Sequence, residues 1–379
     1  MPTLPSLPPS TYTAFAVSFV VTVLLVLTKR WHGRFSMDGV KGVQKQHTTP
    51  TPRIGGLAIV LGVLAAWAVA RPERRQILGP ILVAGLPAFL FGLAEDLTKK
   101  VTVMARLMAT IFSGVLGWWL TGMALTSLDI VGIDLLMGVT VVSVAFTAFA
   151  VGGVANAINI IDGFNGLASG FVVLALTGVA AMALSLHDIN LALASLSVAG
   201  AMLGFWLVNW PWGKIFLGDG GSYFGGFALA WACVMLVERN YVITPFAPLL
   251  VCIHPVTEVL FTIYRRRLRH CAPGQPDRLH LHSLIMRRVV RPALRRVLSD
   301  PIEARILENS WTGIVLALMT VPAVISAWLV RLQSLPAAGL CMVFMLGYVT
   351  LYARLVRFRW CSPLHFMFIK PVQRLRSVG

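Results

Sequence analysis

Charged side chains are scarce in this sequence. Asp, Glu, Lys and Arg make up 12% of its 379 residues, against roughly 25% in an ordinary soluble domain. With 57% hydrophobic residues and a mean hydropathy of +0.78, that shortage excludes a soluble globular protein. Acidic residues are fewer still, 15 against 32 basic ones, for a net charge of +17. The basic residues lie in loops between apolar runs, which argues against nucleic acid and for cytoplasmic loops on anionic membrane lipids. The five cysteines form no Cys-x-x-Cys pair, so neither disulfides nor a zinc site is expected. Lys and Arg are absent from residues 1–11 and first appear as Lys29 and Arg30, after an apolar run. That order is the reverse of a cleaved signal peptide, so the first run is expected to stay as a span. Long apolar runs without alternation exclude a barrel, and no internal repeat of the transporter kind is visible.

What remains is an all-α polytopic membrane protein, read as one integral-membrane domain over 1–379. A span needs about 20 apolar residues. Eleven transmembrane helices are expected, near 12–28, 54–70, 77–94, 103–125, 135–156, 166–186, 191–210, 221–238, 242–264, 311–330 and 336–354. With the N-terminus outside, 27 of the 32 Lys and Arg residues fall on the inner side and five on the outer. This asymmetry predicts an outside N-terminus and a cytoplasmic C-terminus. Only the loop at 71–75 runs against it. A long basic cytoplasmic loop is expected at 265–309, and a basic cytoplasmic tail at 354–379.

The chain is organised around Asn156 to Gly170, where Asn156, Asn159, Asp162 and Asn165 stand between apolar segments. Such residues are costly in hydrocarbon and imply water, an ion or a ligand at a membrane rim, although capping residues of a plain helical connection are the other reading. Four more inner loops carry matching chemistry. In the first, Lys45, His47 and Arg53 suit phosphate oxygens, and Gly55-Gly56 opens a helix as an anion site would. In the second, the adjacent carboxylates Glu95 and Asp96 repel each other unless a cation or proton intervenes. They also stand at a helix C-terminus, the wrong pole for an anion. In the fourth, Asp219 stands between glycines at the entry to a span. Magnesium takes oxygen ligands, commonly one or two carboxylates plus phosphates, and Asp96, Asp162 and Asp219 on one face would suit it. In the last, Arg278, His280 and His282 look like a diphosphate-binding surface, with a basic helix on anionic lipid as the alternative for the arginines. At i,i+2 the two histidines would not share a helical face, which argues against a zinc site. His254 and Glu258, at i,i+4 around Pro255, read as a buried structural pair. Because the polar loops lie on one side, an enzyme at the cytoplasmic surface is favoured over a lipid or solute transporter, which would more often hold ionisable groups at the midplane.

Four motifs in order, Thr51-Pro-Arg-Ile-Gly-Gly56, Glu95-Asp96, Asn159-Ile-Ile-Asp-Gly-Phe-Asn-Gly-Leu-Ala168 and Leu217-Gly-Asp-Gly-Gly-Ser222, resemble the polyprenyl-phosphate N-acetylhexosamine-1-phosphate transferases. The resemblance covers about Lys41 to Arg288. His280-Leu-His282-Ser-Leu is similar to the glycolipid-initiating branch rather than to the triple-histidine branch that uses UDP-MurNAc-pentapeptide in peptidoglycan synthesis. The resemblance implies a Mg²⁺-dependent enzyme, with Mn²⁺ as a substitute, in the bacterial inner membrane with its site on the cytoplasmic face. Undecaprenyl phosphate would attack the β-phosphorus of a UDP-N-acetylhexosamine and release UMP, to start a surface polysaccharide such as O-antigen. It implies Asp219 as the first metal ligand and Asp96 to orient or deprotonate the lipid phosphate, with Glu95 beside it. Asn159 and Asp162 would hold metal or nucleotide. Lys45, His280 and His282, with Arg278, would hold diphosphate, and Asn156 and Asn165 would line the substrate site. Homodimerisation is left open. Glu95 and Asn165 stand where the family usually has aspartate. Asn165 cannot ionise, so it cannot act as a base.

Overall fold

The computed structural model describes residues 7–38, 50–268, 279–298 and 300–357. Lys45, His47 and Arg278 lie outside the described residues, as do parts of the 265–309 loop and the 354–379 tail.

In chain order the helices begin with α1 (Pro9–Leu27), α2 (Lys29–Ser36), α3 (Gly55–Val69), α4 (Pro72–Thr98), α5 (Val103–Thr121) and α6 (Ile133–Met137). The middle of the chain forms α7 (Thr140–Ile161), α8 (Leu167–Ser185), α9 (Ile189–Asn209), α10 (Gly218–Arg239), α11 (Phe246–Val251) and α12 (Ile253–Leu268). The last part holds α13 (Leu281–Ile285), a π-helical turn at Met286–Val290, α14 (Arg291–Leu294), α15 (Pro301–Leu318), α16 (Val321–Leu329) and α17 (Ser334–Val356). The first inner loop contributes α2 and a two-stranded antiparallel ladder. In it β1 (Met37–Asp38) pairs with β2 (Thr51–Pro52), Met37 opposite Pro52.

Among the described residues, nine helical segments are long and apolar enough to cross a membrane, each matching an expected span. The other two expected spans differ. Segment 54–70 forms the 15-residue α3. Segment 242–264 is broken into α11 and α12 at Cys252. Proline cannot donate to the carbonyl four residues back and its ring crowds it. For Pro255 that carbonyl belongs to Val251, the last residue of α11. The same offset from Pro322 reaches Leu318, the last residue of α15, and divides that span from α16.

Helix α10 is buried without interruption from Gly218 to Val237. A helix with no polar stripe takes the centre of a bundle, and α10 packs against α4, α7, α3 and α8. Close approach at its N-terminal end is a property of glycine. A Cβ on Gly56 would lie 2.3 Å from the Gly221 nitrogen, and one on Gly92 would lie 2.5 Å from the Gly220 nitrogen. The start of α3, the end of α4 and the start of α10 therefore meet backbone to backbone.

Candidate active site

Asp219 lies in the first turn of α10, where the helix dipole favours an anion. Its Oδ1 accepts from Arg53 Nη2 at 3.1 Å and from Asn159 Nδ2 at 3.0 Å. Its Oδ2 accepts from Arg106 Nη1. Asn159 also donates to Ser222 Oγ at 2.9 Å, which ties the end of α7 to the first turn of α10.

Asp96 is 1% exposed. Its two oxygens accept from the backbone N–H groups of Asp219 and Gly220, each at 3.0 Å. A carboxylate from the end of α4 thus serves as the N-terminal cap of α10, satisfying donors the helix cannot satisfy itself. Gly218, at φ +75°, makes the turn that allows this, and a Cβ there would meet the Arg53 carbonyl oxygen at 2.1 Å. Arg53 Nε also lies 3.4 Å from Asp96 Oδ1, and Nη1 lies 3.8 Å from Asp38. The β ladder holds Arg53 in place. Its N–H donates to Ser36 O at 2.9 Å, and Phe216 N–H donates to Pro52 O at 2.8 Å. Burial disfavours the Arg53 cation, but Asp96, Asp219, Asp38 and Asp162 outweigh it and raise its pKa. Lys99, just past α4, is pushed down by burial and then by Arg53.

Asp162 follows the last residue of α7 and is partly exposed. Its carboxylate has no hydrogen-bond or ion-pair partner among the described residues. Burial, then the charges of Asp219 and Asp96, push its pKa up to about 8 against the pull of Arg53. A carboxylate this ready to bind a proton is a ready ligand for another cation.

The histidines border the same loop. His282 lies edge-on to Phe164, with ring centroids 5.3 Å apart, and its Nε2 would lie 3.3 Å from a Cβ on Gly163. His280 is extended at the N-cap of α13, outside the helix. The i,i+2 rule for helices therefore does not separate the two rings, which stack at 5.2 Å. The expected His254–Glu258 pair is not formed. Glu258, 1% exposed, receives His280 Nδ1 at 2.9 Å and Tyr348 Oη at 2.8 Å instead. The loop after α12 folds back onto that helix and supplies a nearer donor, while His254 Nδ1 is buried without a partner.

The structure thus brings together Asp96, Asp162, Asp219 and Asn159, with His280 and His282 at the edge. Three other expected residues point elsewhere. Glu95 accepts from Val101 N–H at 2.8 Å, at the turn into α5. Asn156 donates to Thr110 Oγ1 and Gly152 O, each at 2.8 Å, on the α5–α7 interface. Asn165 latches the polar loop to α15: its N–H donates to Asn309 Oδ1 at 2.7 Å, and its amide donates to Pro211 O at 3.1 Å and to Ser310 Oγ at 3.3 Å. Beside that latch, Glu308 receives Arg291 and Arg295, both at 2.8 Å. Sequence motifs do not point to Arg106 at the site, and helical spacing pairs Glu258 with His254 rather than with His280. Arg106 carries a detectable signal, since a cation near the start of a helix opposes the dipole and needs an anionic partner.

Comparison with known proteins bears on this arrangement. A family model described as "Glycosyl transferase family 4" matches residues 78–237, which include Asp96, Asn159, Asp162 and Asp219. The chain is 28% identical over 279 residues to a probable undecaprenyl-phosphate N-acetylglucosaminyl 1-phosphate transferase of Bacillus subtilis, covering 71% of this chain and 76% of that protein. It is 29% identical over 303 residues to a decaprenyl-phosphate N-acetylglucosaminephosphotransferase of Mycobacterium leprae, covering 71% and 72%. It is 26% identical over 249 residues to an undecaprenyl-phosphate alpha-N-acetylglucosaminyl 1-phosphate transferase of Yersinia pestis, covering 64% and 68%.

Proposed function

Because the chain belongs to the superfamily of polyprenyl-phosphate N-acetylhexosamine-1-phosphate transferases, we propose that it moves a sugar 1-phosphate from a UDP-N-acetylhexosamine to undecaprenyl phosphate. The observation that carries this reading is the convergence of Asp162 and Asp219 with Arg53, Arg106 and Asn159 at one end of α10. A lipid phosphate oxygen forms a bond to the β-phosphorus of the donor. The bond from that phosphorus to the bridging oxygen breaks, and UMP leaves with the electron pair. The acceptor is largely dianionic near neutral pH, with a second pKa of roughly 6 for a phosphate monoester. It therefore needs no strong base, and the demand on the protein is positioning and charge neutralisation.

Each residue has a part in that task. Arg53 and Arg106 are forked donors suited to diphosphate oxygens. His280, held by Glu258 through Nδ1, is fixed in one ring orientation, and His282 stacks on it; both can donate to phosphate. Asp96 holds the start of α10, so that Asp219 and the helix N-terminus face the reacting phosphates. Among the described residues no three His, Cys, Asp or Glu side chains converge as a ready-made metal site, but Asp162, unpartnered, and Asp219 would supply the one or two carboxylates that Mg²⁺ commonly takes beside phosphate oxygens. Bound there, it would neutralise charge on the diphosphate. Asp96 is the weaker ligand because its two oxygens cap fixed backbone N–H groups of α10, whereas the partners of Asp219 are side chains that can turn to the phosphates instead.

UDP-N-acetylglucosamine is the first donor to test, since the relatives' names specify the N-acetylglucosaminyl 1-phosphate group. The product would initiate an envelope polysaccharide such as O-antigen, on the cytoplasmic face of the bacterial inner membrane. The test is release of UMP by purified protein that requires both lipid phosphate and donor. Hydrolysis of donor at the same rate without lipid would refute the transferase reading.

A further inference from the structure

Arg71, Arg74 and Arg75 run against the asymmetry of the basic residues, and the proposed transfer has no use for them. They stand at the opposite end of the bundle from the acidic cluster. Arg74 and Asp96 lie on the same helix, 22 positions apart, or about 33 Å at 1.5 Å per residue.

All three mark the N-terminus of α4, with Arg71 at the N-cap and the other two in the first turn. A helix N-terminus is the positive pole, so three cations there oppose the dipole. Arg74 is only 7% exposed. Its Nη1 donates to Ser10 Oγ at 3.2 Å, while its Nε is buried without a hydrogen-bond partner. No carboxylate pairs with it among the described residues. The neighbouring Glu73 is exposed and forms no ion pair, and residues 1–6 contain no acidic residue. Around it the polar groups are hydroxyls: Ser10 receives Ser197 Oγ at 3.2 Å, and Thr11 Oγ1 lies 3.2 Å from Ser197 Oγ. Arg75 lies over the Trp67 ring at 5.8 Å. Next to it on α3, Leu64, Trp67 and Val69 are exposed apolar side chains. Tryptophan of this kind belongs to the interface between headgroups and hydrocarbon.

We propose that Arg74, with Arg71 and Arg75, binds the phosphate of a membrane phospholipid at this rim, the acyl chains lying along Leu64 and Val69 of α3. A phosphate oxygen would accept from the guanidinium cluster, neutralise its charge and suit the α4 dipole at once. A free phosphate ion offers the same headgroup chemistry but leaves the exposed apolar strip uncovered.

The test is native mass spectrometry of the full chain released from detergent with phosphatidylglycerol, with diacylglycerol of the same chains, or with inorganic phosphate. The expected result is a retained phosphatidylglycerol adduct, no diacylglycerol adduct and no displacement by millimolar phosphate. Arg74→Gln should weaken retention roughly tenfold, the size expected for loss of one charge-assisted contact, with the thermal melting point as the check on folding. Arg71→Gln/Arg75→Gln, changed only at exposed positions, should weaken it several-fold and covers the case in which the buried substitution fails to fold. Equal retention of diacylglycerol, or undiminished binding by both variants, would overturn the site. Displacement of the lipid by inorganic phosphate would overturn the lipid as its source. Sugar-phosphate transfer is not the readout, so failure here is distinct from failure of the proposed reaction.

Discussion

Asp162 and Asp219 occupy different electrostatic positions, and their substitutions should separate accordingly. Asp219 is held by two guanidinium groups and an amide. Asp219→Asn should reduce turnover by roughly 10²- to 10³-fold, the scale for loss of a single preorganised electrostatic contact, and should also lower the melting temperature because two partly buried arginines lose an anionic partner. Asp162 has no such partner, and its pKa is raised from 3.8 to about 8. The sign follows from linkage: a raised folded-state pKa means the native state binds the proton more tightly, so stability falls as pH rises from about 4 to about 8. Asp162→Asn should therefore raise the melting temperature at pH 8 in chelator while lowering activity. An Asp162→Asn protein that melted lower at pH 8 and no differently at pH 4 would contradict the unpaired carboxylate. For Glu258→Gln, we expect turnover to drop about tenfold to a hundredfold, as with outer-shell partners that orient a ligating imidazole. A shift in the pH profile of kcat/KM should accompany it, since the ring it orients is titratable.

At the scale of elements, the site depends on three chain segments meeting without side chains between them. Gly56→Ala and Gly92→Ala each place a methyl group against the backbone of the first turn of α10. Overpacking of this kind costs typically 1–3 kcal/mol, and it displaces Asp219 as well, so loss of activity should exceed loss of stability in thermal melts. Asn165 offers the opposite test. Its bonds run to Pro211, Asn309 and Ser310. Asn165→Ala should lower the melting temperature, leaving the Mg²⁺ concentration for half-maximal activity unchanged; a changed Mg²⁺ requirement would place the side chain at the metal. These elements also mark how far the sequence could be read. Nine spans were visible as apolar runs because bilayer thickness sets their length. The motif residues Asp96, Asn159, Asp162 and Asp219 were visible as polar groups where hydrocarbon should be. The partners of Asn165 were not, being up to 145 positions away and invisible to any local pattern. Arg106 was counted only as one more inner positive charge, and its partner is 113 positions distant. The His254–Glu258 expectation failed because helical spacing makes two residues neighbours but cannot reveal that His280 folds back to compete.

At the scale of the whole molecule, the polar cluster and the arginine rim lie at opposite ends of the same bundle, which gives the topology a direct test. Val131 is fully exposed in the loop between α5 and α6, at the end away from Asp219, whereas Lys100 is exposed beside the cluster. In a cysteine-free background, Val131→Cys should react with a membrane-impermeant thiol reagent in intact cells, and Lys100→Cys only after permeabilisation. The reverse pattern would invert the orientation drawn from the basic residues. The central claim is that the acidic cluster at the start of α10 transfers a sugar phosphate to a lipid. It is tested most directly by following UMP release from UDP-N-acetylglucosamine by purified protein supplied with undecaprenyl phosphate, in Mg²⁺ and in chelator, beside the Asp219→Asn protein. The account predicts release that needs lipid and Mg²⁺ together and is nearly lost in the variant. Release that persists in chelator, or is undiminished in folded Asp219→Asn, would contradict it.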